Sequence, residues 1–249
     1  MVVHDRTRLI GGLAFTVVLC YNRETMLGRL VEPQWIDKKF VEKYTIMEAS
    51  SEDVFEFKVN MPSVIRLIPD NTEGILDYAC GTGYLTEAIN KIPQLCRGGV
   101  DSYDISPVMR GIAHSNGANV IEDERQLFQK KYGAVILKLV LQFIDDIDTS
   151  LAKITGLIKP GGSVIISIPN PDRTAQIYNG PYNKSWRYIN EVGDFGLYCT
   201  MIHRPFEDIH DNFAKKGFYM SAIQKVTDEA RGDILPKRLN ARFTLSEQK

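Results

Sequence analysis

One turn constrains this chain more than any other feature: "GILDYACGTGYLTEAI", Gly74 to Ile89. An apolar strand-like run meets the acid Asp77, passes Gly81 and Gly83, and turns at once into a helical pattern. Glycines at such a strand-to-helix turn leave the backbone bare, so a ligand can lie against it where a Cβ would push it away. The turn sits in a regular alternation. "GGVDSYDIS" reads as a strand and "PVMRGIAHSN" as a helix opened by Ser106 and Pro107. "YGAVILKLVL" is an apolar strand interrupted only by Lys138, "DTSLAKITGLI" is a helix stopped before "KPGG", and "SVIISIP" is a further strand. Strands apolar throughout, separated by helices, require a parallel sheet covered on both faces. The expected fold is α/β, a Rossmann-like, mostly parallel sheet with helices on both faces.

The flanks are less regular. In residues 33–69, "WIDKKFVEKY" spaces Trp35, Ile36, Phe40 and Tyr44 as on one helix face, and "NMPSVIRLIPD" reads as a short helix between Pro62 and Pro69. "RPFEDIHDNFAKKGF" is a helix with Pro205 at its first turn and Gly217 as its stop, followed by the final strand "FYMSAIQKV". The tyrosine-rich stretch Pro171–Thr200 reads as an insertion rather than sheet. Near the N-terminus "LIGGLAFTVVLCY", Leu9 to Tyr21, is shorter than the roughly 17–25 residues of a spanning helix. It suits a buried strand or pairing segment, with a targeting signal as the other reading. The expected division is an extension at 1–32, a core at 33–225 with helices at 33–70 and a cap at 171–200, and a tail at 226–249.

Composition excludes several function classes. With 30 basic against 31 acidic residues and a formal net charge of -1, no basic footprint invites nucleic acid or an anionic membrane. The four cysteines form no CxxC and the four histidines no HExxH, so no metal site is expected, and reduced thiols point to the cytoplasm. A pyrophosphate needs G-x-G-x-x-G, but Thr86 stands at the third glycine, and no G-K-[ST] occurs. Asp77 suits a ligand with an ammonium group and no phosphate.

"ILDYACGTG" resembles the first motif of class I S-adenosylmethionine-dependent methyltransferases, in the small-molecule type 11/12 group. "VDSYDISPVM", "IEDERQLFQKKYGAVIL" and "LVLQFIDDIDTSLAKITGLIKPGGSVIISIPNP" are similar to later motifs of that family in the same order, over roughly residues 36–225. The resemblance implies a seven-stranded sheet, S-adenosylmethionine as cofactor and S-adenosylhomocysteine as product. It puts Asp104 on the ribose hydroxyls and Asp123 near the adenine amine. Tyr44, Asp77, Ala79, Cys80, Gly81, Gly83, Ile105 and Lys138 are the other expected cofactor contacts. Ala79 replaces the family's first glycine, Tyr78 is bulkier than its usual apolar neighbour, and Gln142 stands where many relatives carry histidine.

Methyl transfer from a sulfonium is an in-line displacement, in which alignment of donor and acceptor at about 3–3.5 Å does most of the work. A general base is optional. The [DNS]-P-P-[FYW] motif of amino-methylating nucleic-acid enzymes is missing after the fourth strand, where "LKLVLQF" stands, and no Pro-Cys dipeptide occurs. A small-molecule acceptor, methylated on N or O, is therefore expected, with no nucleic-acid or membrane partner and a monomeric or homodimeric state. Gln142, Tyr178, Tyr182, Trp186 and Tyr188 are the candidate pocket, and His203 is the candidate base. The alternative is a regulatory module that binds the cofactor without turnover. Aminopropyl transfer, for which Asp145 and Asp146 are the acids in question, is the weakest reading.

Overall fold

The computed structural model describes Trp35 and residues 37–49, 55–192, 197–229 and 232–246, with short paired segments before them. Within 1–32 those segments are Arg8–Ile10 against Leu13–Phe15 and Glu24–Thr25 against Gly28–Arg29. The rest of that extension, including most of the apolar stretch from Leu9 to Tyr21, lies outside the described residues. Among the described residues no helix is long and apolar enough to cross a membrane.

Seven strands form the central sheet. They are β1 (Ile75–Tyr78), β2 (Val100–Tyr103), β3 (Asn119–Val120), β4 (Tyr132–Lys138), β5 (Ile158–Pro169), β8 (Phe218–Val226) and β9 (Arg238–Leu245). A separate antiparallel hairpin holds β6 (Trp186–Val192) and β7 (Leu197–His203). The order across the sheet is β8-β9-β5-β4-β1-β2-β3. Strands β1 to β5 run parallel, and β9 is antiparallel to both β5 and β8. Strand order reverses between β1 and β4, which opens a crevice beyond their carboxyl ends.

Alternation along the buried strands builds two cores. Leu76, Val135, Leu137, Val164 and Ile166 face one side, with Leu151 and Ile154 of α6 (Ile147–Thr155) and Phe213 of α8 (Phe206–Ala214). Ile75, Ile136 and Ile165 face the other, with Val64 of α2 (Met61–Ile65) and Leu85 and Ile89 of α3 (Tyr84–Asn90). This doubly covered sheet is the architecture that the alternation predicts. The expected helix at Ser106–Pro107 is α4 (Pro107–Ser115), capped by the Ser106 hydroxyl, which accepts from the Met109 N–H at 3.3 Å.

Two expectations need correction. The stretch from Pro171 to Thr200 holds regular structure: helix α7 (Pro171–Tyr178), then β6 and most of β7, whose alternate side chains pack against each other off the main sheet. The tail at 226–249 supplies β9, which lies inside the sheet between β8 and β5. Leu239, Ala241 and Phe243 of β9 are almost wholly buried.

Each large apolar side chain buried there contributes about 1.5–3 kcal/mol against a typical total stability of about 5–15 kcal/mol. A chain ending at Asp228 removes β9 and leaves β8 without its neighbour. It should lose its cooperative urea transition and near-UV circular dichroism. A truncated chain that still unfolds cooperatively would show β9 to be dispensable.

Candidate active site

The crevice holds a cavity of about 530 Å³. Its floor is the glycine turn. Ala79, Gly81 and Gly83 adopt left-handed conformations at φ 60°, 55° and 85°. A Cβ added at Gly81 would meet nothing within 4 Å, so this residue presents bare backbone to the cavity, whereas one at Gly83 would meet Ala113 at 3.1 Å. Gly81 thus leaves room for a ligand, and Gly83 lets α3 pack against α4.

Two buried carboxylates flank the turn. Asp104, at the end of β2, accepts the Gly81 N–H at 3.0 Å and the Ser106 N–H at 2.8 Å, one on each oxygen. Asp77 on β1 accepts the Thr86 hydroxyl at 2.8 Å, and Thr86 also lies 2.7 Å from the Ser102 hydroxyl. Thr86, which breaks the dinucleotide pattern, is thus a partner of the acid. Burial pushes the Asp77 carboxyl up to about 6; the Thr86 hydrogen bond and Lys138 oppose that only in part. Burial likewise raises Asp104, opposed by its two backbone N–H bonds and Arg110. Burial pushes the Cys80 thiol far up, with Asp77 and Asp104 adding to it, which disfavours the thiolate.

Of the expected residues, Tyr44, Asp77, Ala79, Cys80, Gly81, Asp104, Ile105 and Lys138 line the cavity, as do Gln142, Tyr178 and Tyr188. Others fall elsewhere. Gly83 caps α3 behind the turn. Asp123 is outside the cavity wall: it caps α5 (Glu124–Leu127) and pairs with Arg125 at 2.5 Å. Tyr182 is more than half exposed and outside the wall. Trp186 packs inside the cap, its indole N–H donating to the Pro181 carbonyl at 3.0 Å. His203 does not reach the cavity. Its ring stacks on Trp186 at 5.2 Å at the end of the hairpin, and it borders a smaller adjoining space together with Gln142 and Tyr188. The expected base thus stands beside the cavity wall and not in it.

Sequence reasoning missed an ion cluster. Glu56 begins a π-helical turn, Glu56–Asn60, that runs into α2. Its carboxylate meets Arg238 at 2.6 Å, Lys138 at 3.2 Å and the Asn60 amide at 2.7 Å. Burial alone would raise Glu56, but Arg238 and Lys138 hold it down to about 2. Arg173 and Lys237 line the same wall. Residues 56, 138 and 238 are too far apart in the chain for any local pattern to join them. An aromatic cluster helps enclose the cavity: Trp35 meets Tyr44 of α1 (Lys38–Ala49) at 5.1 Å and Phe143 at 5.3 Å.

A doubly wound sheet with a bare glycine turn and a strand-end acid at its switch point defines a binder of a nucleoside-type ligand. The family model described as a methyltransferase domain matches residues 53–219, and the chain belongs to that family. A malonyl-[acyl-carrier protein] O-methyltransferase from Halalkalibacterium halodurans is 27% identical over 122 residues. That match covers 44% of this chain and 44% of the relative, less than half of its length. Solved structures share the fold. An S-adenosylmethionine-dependent methyltransferase from Clostridium acetobutylicum superposes with a TM-score of 0.57 at 17% identity, covering 82% of this chain and 99% of that one. The N-methyltransferase NodS from Bradyrhizobium japonicum, solved with S-adenosyl-l-homocysteine, gives 0.53 at 15% identity, covering 79% and 90%. By family the chain carries a methyltransferase domain, and its fold is the one found in these S-adenosylmethionine-dependent methyltransferase structures.

Asp77 makes stability depend on pH. Its proton is held more tightly in the fold, at about 6, than at the ordinary value of 3.8, so ionisation costs stability as the pH rises from about 4 to about 6. In full the cost is about 3 kcal/mol. Asp77→Asn should therefore stabilise the ligand-free protein at pH 8 by up to about that amount and change it little at pH 4. Urea denaturation at both pH values checks this, and equal effects at the two would refute it.

Proposed function

We propose that this methyltransferase moves the methyl group of S-adenosylmethionine to an N or O atom of a small molecule held in the cavity. The observation that carries the cofactor site is the pair of buried carboxylates, Asp77 and Asp104, on either side of the bare turn. Each Asp104 oxygen already accepts one backbone N–H and retains acceptor capacity for a ribose hydroxyl. Asp77 is costly to ionise where it sits, and a ligand ammonium offsets that cost. Gly81 leaves the backbone open, and no third glycine makes a pyrophosphate cradle. The residues thus fit a cofactor with a ribose and a cationic amino-acid tail.

The cofactor supplies an electrophilic methyl on a sulfonium. The chain's part is to hold the acceptor in line with it and to keep water out. Trp35, Tyr44 and Phe143 close one side, and Tyr178 packs against Tyr188 with tilted rings, centroids 4.5 Å apart, on the cap side. His203 lies outside the cavity wall, so this reading assigns it no proton transfer. The O- and N-methyltransferase names of the relatives support oxygen or nitrogen as the acceptor atom. The volume of about 530 Å³ suits a small molecule.

Calorimetry should give binding of S-adenosylmethionine and S-adenosylhomocysteine and none of NAD; equal or tighter NAD binding would overturn the cofactor site. Asp104→Ala removes hydrogen bonds worth about 1.5–3 kcal/mol each and should weaken affinity at least about tenfold with the fold intact. Wild-type affinity in that variant would remove Asp104 from the site. With labelled methyl donor and cell extract, label should enter the small-molecule fraction, and Gly81→Arg should abolish it. Label confined to protein or RNA would refute the small-molecule acceptor.

A further inference from the structure

The half of the cavity beyond β4 and β5 is cationic. Lys138 ends β4, Arg173 lies in the first turns of α7, and Lys237 and Arg238 stand where β9 begins beside Pro169. Against these cations the same half carries the carboxylates of Glu56 and Glu191. Glu56 is shared between two of them, Arg238 and Lys138. The other two are braced from behind. Arg173 donates to Asp233 at 3.0 Å and to the Leu235 carbonyl at 3.2 Å, and Lys237 lies 3.8 Å from Asp228. Asp228 and Asp233 belong to the connection between β8 and β9 and are not part of the cavity wall. The acids thus brace Arg173 and Lys237 from behind the wall that these cations line.

We propose that the methyl acceptor is an anion, a small molecule whose carboxylate or phosphate group docks on Arg173, Lys237 and Arg238. The proposal rests on the small-molecule reading above. The geometry favours an anion for three reasons. Four cations and two carboxylates line this half, and the acids paired with Arg173 and Lys237, Asp233 and Asp228, lie behind the wall, so the cationic end of each of those pairs is the one that borders the cavity. Arg173 uses two of its five N–H donors within the protein, which leaves a fork able to meet a planar anion. The cations also line the same cavity as the glycine turn, so an anion docked on them shares one enclosed space with the cofactor site. The paired rings of Tyr178 and Tyr188 then cover the carbon body of the acceptor.

The test separates a small-molecule cell extract on an anion-exchange resin and supplies each fraction to the purified protein with labelled methyl donor. Acceptor activity is expected in the retained fraction. Phosphatase treatment of that fraction then divides the sources: lost activity identifies a phosphate, retained activity a carboxylate, and either supports the anion. Arg173→Gln and Lys237→Gln should each raise the apparent KM in a dilution series of that fraction at least about tenfold, with kcat within about twofold. S-adenosylhomocysteine affinity, measured by calorimetry, should stay at the wild-type value and shows that each variant folds. Lys91→Gln, an exposed change at the far end of α3, should leave KM unchanged. Acceptor activity in the unretained fraction, or wild-type KM in both variants, would overturn the anion while leaving a small-molecule acceptor in place. Label entering no small-molecule fraction would overturn both.

Discussion

The carboxylate of Asp104 ties two parallel strands into one binding surface. One oxygen takes the N–H of Gly81, in the turn after β1, and the other takes the N–H of Ser106, where α4 begins after β2. The glycine turn is thereby referenced to the neighbouring strand as well as to its own. This matters because the turn is strained. Ala79 sits at φ 60°, a conformation that costs an L-residue about 1–2 kcal/mol. Hydrogen bonds to a buried charge are strong enough to hold such a turn open without a ligand. The same arrangement keeps both Asp104 oxygens at the cavity edge.

A second polar cluster joins elements that no local interaction connects. Glu56, Lys138 and Arg238 come from the π-helical turn, β4 and β9. Asn60 extends the cluster, donating to the Ser167 hydroxyl at 3.2 Å and accepting from Asn240 at 2.9 Å. Buried ion groups of this kind add little net stability but cost several kcal/mol when one member is removed. Their effect is geometric. They fix where the N-terminal helices meet the C-terminal strand, and so set the wall opposite the glycine turn. The π-helical turn, a feature frequent at functional sites, puts Glu56 and Asn60 within 2.7 Å of each other.

The parallel strands were legible because they are buried on both faces. "YGAVILK" is apolar up to Lys138 and "SVIISIP" apart from its two serines, and both are strands in the structure. β9 was not legible: "RLNARFTL" mixes polar and apolar positions, since Asn240 and Arg242 turn toward the polar contacts beneath α2. The hairpin β6–β7 was hidden for a related reason. Its aromatic residues resemble a pocket lining in composition, yet Trp186 fills the space beside Gly180, where an added Cβ would meet its ring. His203 shares that interior face. Composition puts aromatic and imidazole groups in one segment, but position along the hairpin decides which of them reach the cavity: Tyr188 and Met201 line it, whereas the end pair Trp186 and His203 does not.

The amino-acid sequence by itself determined the alternating α/β core, the glycine turn and its two acids, because those depend on residues close together in the chain. Local chemistry is enough there. An apolar run becomes a buried strand, a glycine accepts a left-handed turn, and an acid at a strand end sits beside that turn. Tertiary structure alone decided that a C-terminal strand lies inside the sheet, that Glu56 bridges Lys138 and Arg238, and that the cap's histidine stands beside the cavity wall and not in it. Each depends on contacts between residues far apart in sequence, such as the 182 positions separating Glu56 from Arg238. Such pairs form only when the whole sheet has closed around them, since loop closure over that distance is offset by the packing of the complete fold and by no single segment.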